Sequence, residues 1–171
     1  MKLQLACIVF FITLFNTSSL LANGSDISPT PLKERVLIEA HDLQALGKTM
    51  RSDQLGLVIM FHAEYCEYCK RLEADLLQPM LRSGDYDDKV LIRKIQIDGA
   101  YDMVNFNGQQ IAASQLATLY DASMTPILVF VDANGTEQAK KLLGYTSPDF
   151  FGAYLDRAIG QLHAAVIKQS Q

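Results

Sequence analysis

Apolar positions along the chain change period several times, and each change marks an element. Between residues 39 and 53, Leu43, Leu46 and Met50 recur at spacings of three and four, which predicts an amphipathic helix. Leu55-Gly56-Leu57-Val58-Ile59-Met60-Phe61 is an unbroken apolar run of strand length, the pattern of a central strand covered on both faces. From residue 66 to about 81 a helical period returns, with Cys69, Leu72, Leu76 and Met80 on one face, and Pro79 is expected to kink or end that helix. Residues 90–97 read as a second strand and 99–112 as a polar surface excursion longer than a turn. A short helix at 114–120 and a buried strand at 127–131 follow, and Asp132-Ala133-Asn134-Gly135 joins that strand to residues 137–143 as a hairpin. The last helix, from about 149 to 167 behind Pro148, carries Phe150, Phe151, Tyr154, Leu155, Ala158, Ile159 and Leu162 on one side, and this aromatic stripe is expected to be core. The summed order predicts an α/β domain whose sheet is mixed, because a tight hairpin makes its two strands antiparallel.

The N-terminus follows a different pattern. Residues 3–21 carry no charge, follow a single Lys2, and give way to polar Asn23-Gly24-Ser25-Asp26, the layout of a secretory signal peptide. Export is therefore expected, with a signal peptide at 1–22 cleaved after Ala22 or Gly24, an extended lead-in at 23–35 and one domain at 36–168. A retained membrane anchor is the alternative, since the stretch approaches the roughly 20 residues that span a bilayer. Asn16, Thr17, Ser18 and Ser19 interrupt the apolar run and favour the cleaved form. Composition is ordinary for a folded chain, with 49% hydrophobic and 20% charged residues. Loss of Lys2 takes the formal net charge from −4 to −5, so nothing basic enough for nucleic acid remains.

Cleavage also changes the cysteine chemistry. Of three cysteines, Cys7 leaves with the signal, and Cys66 and Cys69 have only each other. A loop that small closes almost no chain entropy, so the pair suits a reversible disulfide better than a structural staple. On a helix, residues three apart have Cβ atoms about 5–6 Å from one another, close enough for a bond after modest adjustment. Cys66, in the first turn, meets the unpaired N–H groups and positive end of the helix dipole, which favour its thiolate. It is the expected attacking sulfur, and the inward Cys69 resolves the mixed disulfide. A Cys-x-x-Cys spacing also serves zinc and haem. Lys70 excludes haem attachment, and no second pair exists for a four-sulfur zinc site. The remaining metal alternative is a carrier that uses His62 with both cysteines, although a half-buried histidine at a strand end is the plainer explanation. No resident metal or other cofactor is expected.

The run from Val58 through Phe61-His62-Ala63-Glu64-Tyr65-Cys66-Glu67-Tyr68-Cys69-Lys70-Arg71-Leu72 resembles the strand, loop and active-site helix of the thioredoxin-like superfamily. Met124-Thr125-Pro126-Ile127-Leu128-Val129-Phe130 resembles its cis-proline loop and following strand, and the Asp132–Gly135 turn and Gly144-Tyr145 fit as well. The resemblance covers roughly residues 39–165. It implies a thioredoxin-like fold, a mixed central sheet flanked by helices, and an enzyme that exchanges disulfides with protein thiol substrates and draws on an upstream thiol–disulfide electron donor. Pro126 would have a cis bond and lie against the cysteines, leaving the Thr125 backbone to pair with an extended substrate. The nearest likeness is to exported proteins of the SoxW-like group, which implies a periplasmic location.

Two departures bear on direction. The family's general reductants hold a buried Asp six residues before the first cysteine, where this chain has Met60. Glu64 is the candidate for proton transfer in its place, and His62 is also near in sequence. Glu67-Tyr68 replaces the family's Gly-Pro, and Glu67 opposes a Cys66 thiolate that Lys70 favours. Tyr68 and Thr125 resemble disulfide isomerases, whereas Glu67 resembles the exported reductants of cytochrome maturation; on balance a reductant is expected. A thioredoxin-fold binding or chaperone module with an inert disulfide is the alternative outside enzymes. Phe106 in the 99–112 excursion pins its own loop or touches a partner.

Overall fold

The most apolar runs become the middle of the sheet. In the computed structural model, which describes residues 35–171, β1 (Gly56–His62) and β5 (Ile127–Val131) are antiparallel neighbours, buried throughout except at His62. β2 (Val90–Gln96) runs parallel to β1 on one side, and β6 (Glu137–Leu143) antiparallel to β5 on the other, giving the order β2-β1-β5-β6. The predicted signal peptide, its cleavage sites and residues 23–34 lie outside the described residues.

Strand alternation divides the core into two layers. Leu57, Ile59 and Phe61 face α1 (Leu43–Asp53) and α4 (Ala113–Leu119), packing with Leu43, Met50, Leu116 and Ala117. Val58 and Met60 face the other way, with Leu72, Leu77 and the Leu155, Ile159 and Leu162 side chains of α5 (Pro148–Gln169). Gly56 lets α5 approach: a Cβ there would overlap the Leu162 side chain. The fold is thus a mixed sheet flanked by helices on both faces.

Four local expectations need correction. The first helix starts at Leu43, because Asp42 caps it, its Oδ1 accepting from the Ala45 N–H at 2.8 Å. Glu39 instead forms a parallel bridge to Lys94, with Ala40 N–H donating to the Lys94 carbonyl and Lys94 N–H to that of Ile38. Residues 99–112 contain a two-stranded hairpin, β3 (Asp102–Val104) and β4 (Gln110–Ala112), anchored by buried Met103. Pro79 does not end the helix after the cysteines. That helix passes from α2 (Glu67–Leu72) through a π-helical turn (Glu73–Leu77) into α3 (Gln78–Ser83). The wider turn, in which Gln78 N–H reaches back to the Glu73 carbonyl, precedes Pro79 and absorbs its missing donor. The chain stops instead at Gly84, in the left-handed region at φ 77°. Finally, Phe150 and Tyr154 are not core: they are 76% and 53% exposed, since α5 buries a stripe of Leu155, Ala158, Ile159, Leu162 and Val166 that leaves them outside it.

Candidate active site

β1 leaves the sheet at His62, and Ala63-Glu64-Tyr65 carries the chain to Cys66, the N-cap residue of α2. Its extended backbone, φ −92° and ψ 95°, aims Sγ back at the helix, where it accepts from the Cys69 N–H at 3.1 Å. Cys66 and Cys69 are joined by a disulfide, with Cα atoms 5.2 Å apart. The two sulfurs are not equivalent: Cys66 is half-buried, whereas Cys69, one turn further in, is only 3% exposed. A sulfur at this helix start is close to N–H groups without an intrahelical partner, which favours its thiolate once the bond opens.

The antiparallel register places Ile127 opposite Phe61, so the start of β5 and the exit of β1 share one end of the sheet. The Thr125–Pro126 peptide bond is cis, Pro126 is buried and Thr125 half-buried. The Pro126 carbonyl accepts from Gly144 N–H at 2.9 Å, tying this loop to the end of β6. Tyr65, Tyr68 and Met124, each next to a candidate site residue, are exposed, Tyr65 at 85%.

Charges near Cys66 are largely engaged with each other. Glu67 and Lys70, expected to pull its thiolate in opposite directions, pair at 2.6 Å and offset one another. Glu64 is exposed, and its N–H donates to the Asp98 carboxylate at 3.2 Å. Asp98 is held below the usual range, first by the Gln96 side-chain amide and then by the Glu64 N–H.

Met60 is 1% exposed and belongs to the apolar layer that holds Leu72 and Leu77. The polar cluster of this region lies beside it. His62 Nε2 meets Glu39 Oε1 at 2.6 Å, and Lys94 Nζ meets Glu73 Oε2 at 2.9 Å, all four side chains being partly buried. Burial alone would raise the Glu39 pKa, but the hydrogen bond from His62 and the charges of His62 and Lys94 hold it below the ordinary value. Glu39, Glu73 and Lys94 are not among the candidates that sequence alone singles out. Glu73 was within reach, being four residues past Cys69, whereas the bridge that brings Glu39 to Lys94 leaves no sequence signal. Among the described residues no group of three or more His, Cys, Asp or Glu side chains is arranged to hold a metal ion.

A half-exposed sulfur that can attack and a buried one that can displace it make this protein a thiol–disulfide oxidoreductase by class. The sequence model of the family described as a thioredoxin-like domain matches residues 43–159, and the chain belongs to that family. No curated protein matches the sequence. Similar solved structures include a thioredoxin of Malassezia sympodialis, 20% identical, covering 75% of this chain and 94% of that one with a TM-score of 0.49. A thioredoxin of Nicotiana alata is 18% identical, covering 72% and 92% with a TM-score of 0.48. Oxidized mitochondrial thioredoxin 3 of Saccharomyces cerevisiae is 18% identical, covering 71% and 94% with a TM-score of 0.47.

Proposed function

We propose that this protein is an exported reductant of protein disulfides, related to the SoxW-like group and acting in the periplasm. The Cys66 thiolate attacks a substrate disulfide, releasing one substrate thiolate and forming a mixed disulfide. Cys69 then attacks the Cys66 sulfur, which frees the second substrate thiolate and closes the Cys66–Cys69 bond. The Thr125 backbone, presented by the cis bond to Pro126, pairs with an extended segment of the substrate. An upstream dithiol returns the electrons.

The observation that carries this proposal is the unequal burial of two bonded sulfurs at the start of one helix. Export is supported by the order of Lys2, the uncharged stretch 3–21 and the polar residues behind it. A Cys69→Ser variant expressed with its own leader is expected to accumulate mixed disulfides through Cys66 with proteins of the exported fraction. Cys66→Ser is expected to trap few. Equal trapping by both variants, or none by Cys69→Ser, would remove the assignment of roles.

A further inference from the structure

Cys69 must lose a proton before its sulfur can attack, and its burial leaves it little water to receive that proton. On the sheet face beneath α2, the strand register sets four residues in one cross-strand row: Glu39, Lys94, Met60 and Leu128. Within that row Met60 offers no base. The helix supplies one. Glu73 follows Cys69 by four residues and its N–H bonds the Cys69 carbonyl, so the two side chains share a helix face with Cβ atoms about 5–6 Å apart. Its carboxylate reaches down to Lys94, 2.9 Å away.

Lys94 in turn stands beside Glu39, which is bonded to His62 through Oε1 while its Oε2 is buried with no hydrogen-bond partner. The Glu73–Lys94 and Glu39–His62 pairs thus form one partly buried polar cluster in which one acceptor oxygen, Glu39 Oε2, is left over. Other charged groups on the neighbouring elements are engaged separately: Glu67 with Lys70, Asp75 with Tyr145, Arg71 with the Thr146 carbonyl, and Asp98 with the Glu64 N–H.

We propose that Glu73, held by Lys94 and backed by the Glu39–His62 pair, accepts the proton of Cys69 during resolution of the mixed disulfide. The inference rests on the thiol–disulfide chemistry proposed for the site. In the step, the Cys69 S–H proton passes to the Glu73 carboxylate as the Cys69 sulfur bonds to the Cys66 sulfur. The bond from Cys66 to the substrate sulfur breaks, its electron pair leaves on the substrate thiolate, and Glu73 returns the proton to that thiolate or to water.

The test is the rate at which a preformed mixed disulfide between Cys66 and a model peptide thiol resolves, followed by peptide release from about pH 5 to 10. In Glu73→Gln the rate near neutral pH is expected to fall about a hundredfold or more, the scale of a lost general base. It should rejoin the parent at alkaline pH, where Cys69 ionises unaided. Glu73→Asp should restore most of the loss, and Lys94→Met, which removes the cation that holds the Glu73 carboxylate at 2.9 Å, should slow resolution near neutral pH. Lys94→Met also stands as the readout if Glu73→Gln does not fold. A parent-like profile in Glu73→Gln, a loss of equal size at every pH, or the pH-dependent loss appearing in Glu64→Gln instead would overturn the inference. Failure of the parent itself to form any mixed disulfide would overturn the proposed chemistry, and the inference with it.

Discussion

Placing a carboxylate at position 60 tests how the ground beneath α2 is built. Met60 is 1% exposed and lies in register between Lys94 and Leu128. Met60→Asp gives up the burial of an apolar side chain, about 1.5–3 kcal/mol. It also adds a buried charge beside a lysine that Glu73 already engages, so the total loss at pH 7 is expected to reach about 3–5 kcal/mol. That is a large share of the roughly 5–15 kcal/mol that holds a typical domain together. Burial and the nearby carboxylates of Glu73 and Glu39 both push the new carboxyl's pKa up. A group whose folded pKa exceeds its unfolded value, about 3.9 for Asp, contributes stability that is complete below that value and is lost as pH rises through the folded pKa. Met60→Asp should therefore lose stability, relative to the parent, between pH 4 and 7. Met60→Leu, which conserves volume, should cost less than about 1.5 kcal/mol at either pH. Adding Glu73→Gln to Met60→Asp removes a competing carboxylate and should recover part of the loss at neutral pH. Urea denaturation followed by circular dichroism at both pH values reads all four proteins. A Met60→Asp protein as stable as the parent at pH 7, or a loss independent of pH, would refute the placement of Met60 beside an occupied lysine.

Glu39 should show the opposite pH dependence. Its folded pKa is lowered, so it contributes stability above the unfolded carboxylate value of about 4.3, lost as pH falls through the folded value; Glu39→Gln should flatten the acid limb of a pH–stability curve. Tyr145 donates to Asp75 at 2.8 Å, and burial followed by that hydrogen bond pushes its pKa up to about 12. Its stabilising effect is then complete below about pH 10 and lost as pH rises toward the folded value, and Tyr145→Phe should remove this alkaline dependence along with about 1 kcal/mol at neutral pH. Gly47 lies in α1 with the Ala133 carbonyl oxygen 2.7 Å from where a Cβ would sit. Gly47→Ala should lower the thermal midpoint, because the backbone overlap outweighs the helix gain of about 1 kcal/mol; a raised midpoint would contradict that approach.

The parts of the fold that sequence conveys are those decided by local period and turn chemistry. β1 and β5 announce themselves as apolar runs, and the Asn134-Gly135 turn fixes the β5–β6 hairpin, with Gly135 at φ 81°. The redox pair is equally local, since its helical spacing already distinguishes an outer from an inner sulfur. Long-range register is what periodicity cannot carry. Around Glu39 a few residues do not distinguish a helix from an extended bridge, and only pairing with Lys94 decides the matter. The β3–β4 hairpin leaves little periodic signal because its strands are three residues each and each begins on a polar residue. Phe106 packs against the layer that holds α1 and α4, which accords with a residue pinning its own loop. Phe150 and Tyr154 went astray because the apolar arc of α5 is wider than the stripe that the sheet can cover. At the site, an apolar residue at position 60 is legible in the sequence, while its surroundings are not: the Glu73–Lys94 and Glu39–His62 pairs join residues 21 and 23 positions apart.

The most direct measurement is the reduction potential of the Cys66–Cys69 pair, titrated against a dithiol buffer of known poise with the full chain. A reductant of protein disulfides should show one reversible two-electron transition near about −270 mV, the range of thioredoxin. A transition near about −120 mV would reverse the direction of electron flow, and a pair that stays oxidised well below about −300 mV would be a structural disulfide, contradicting the exchange chemistry altogether.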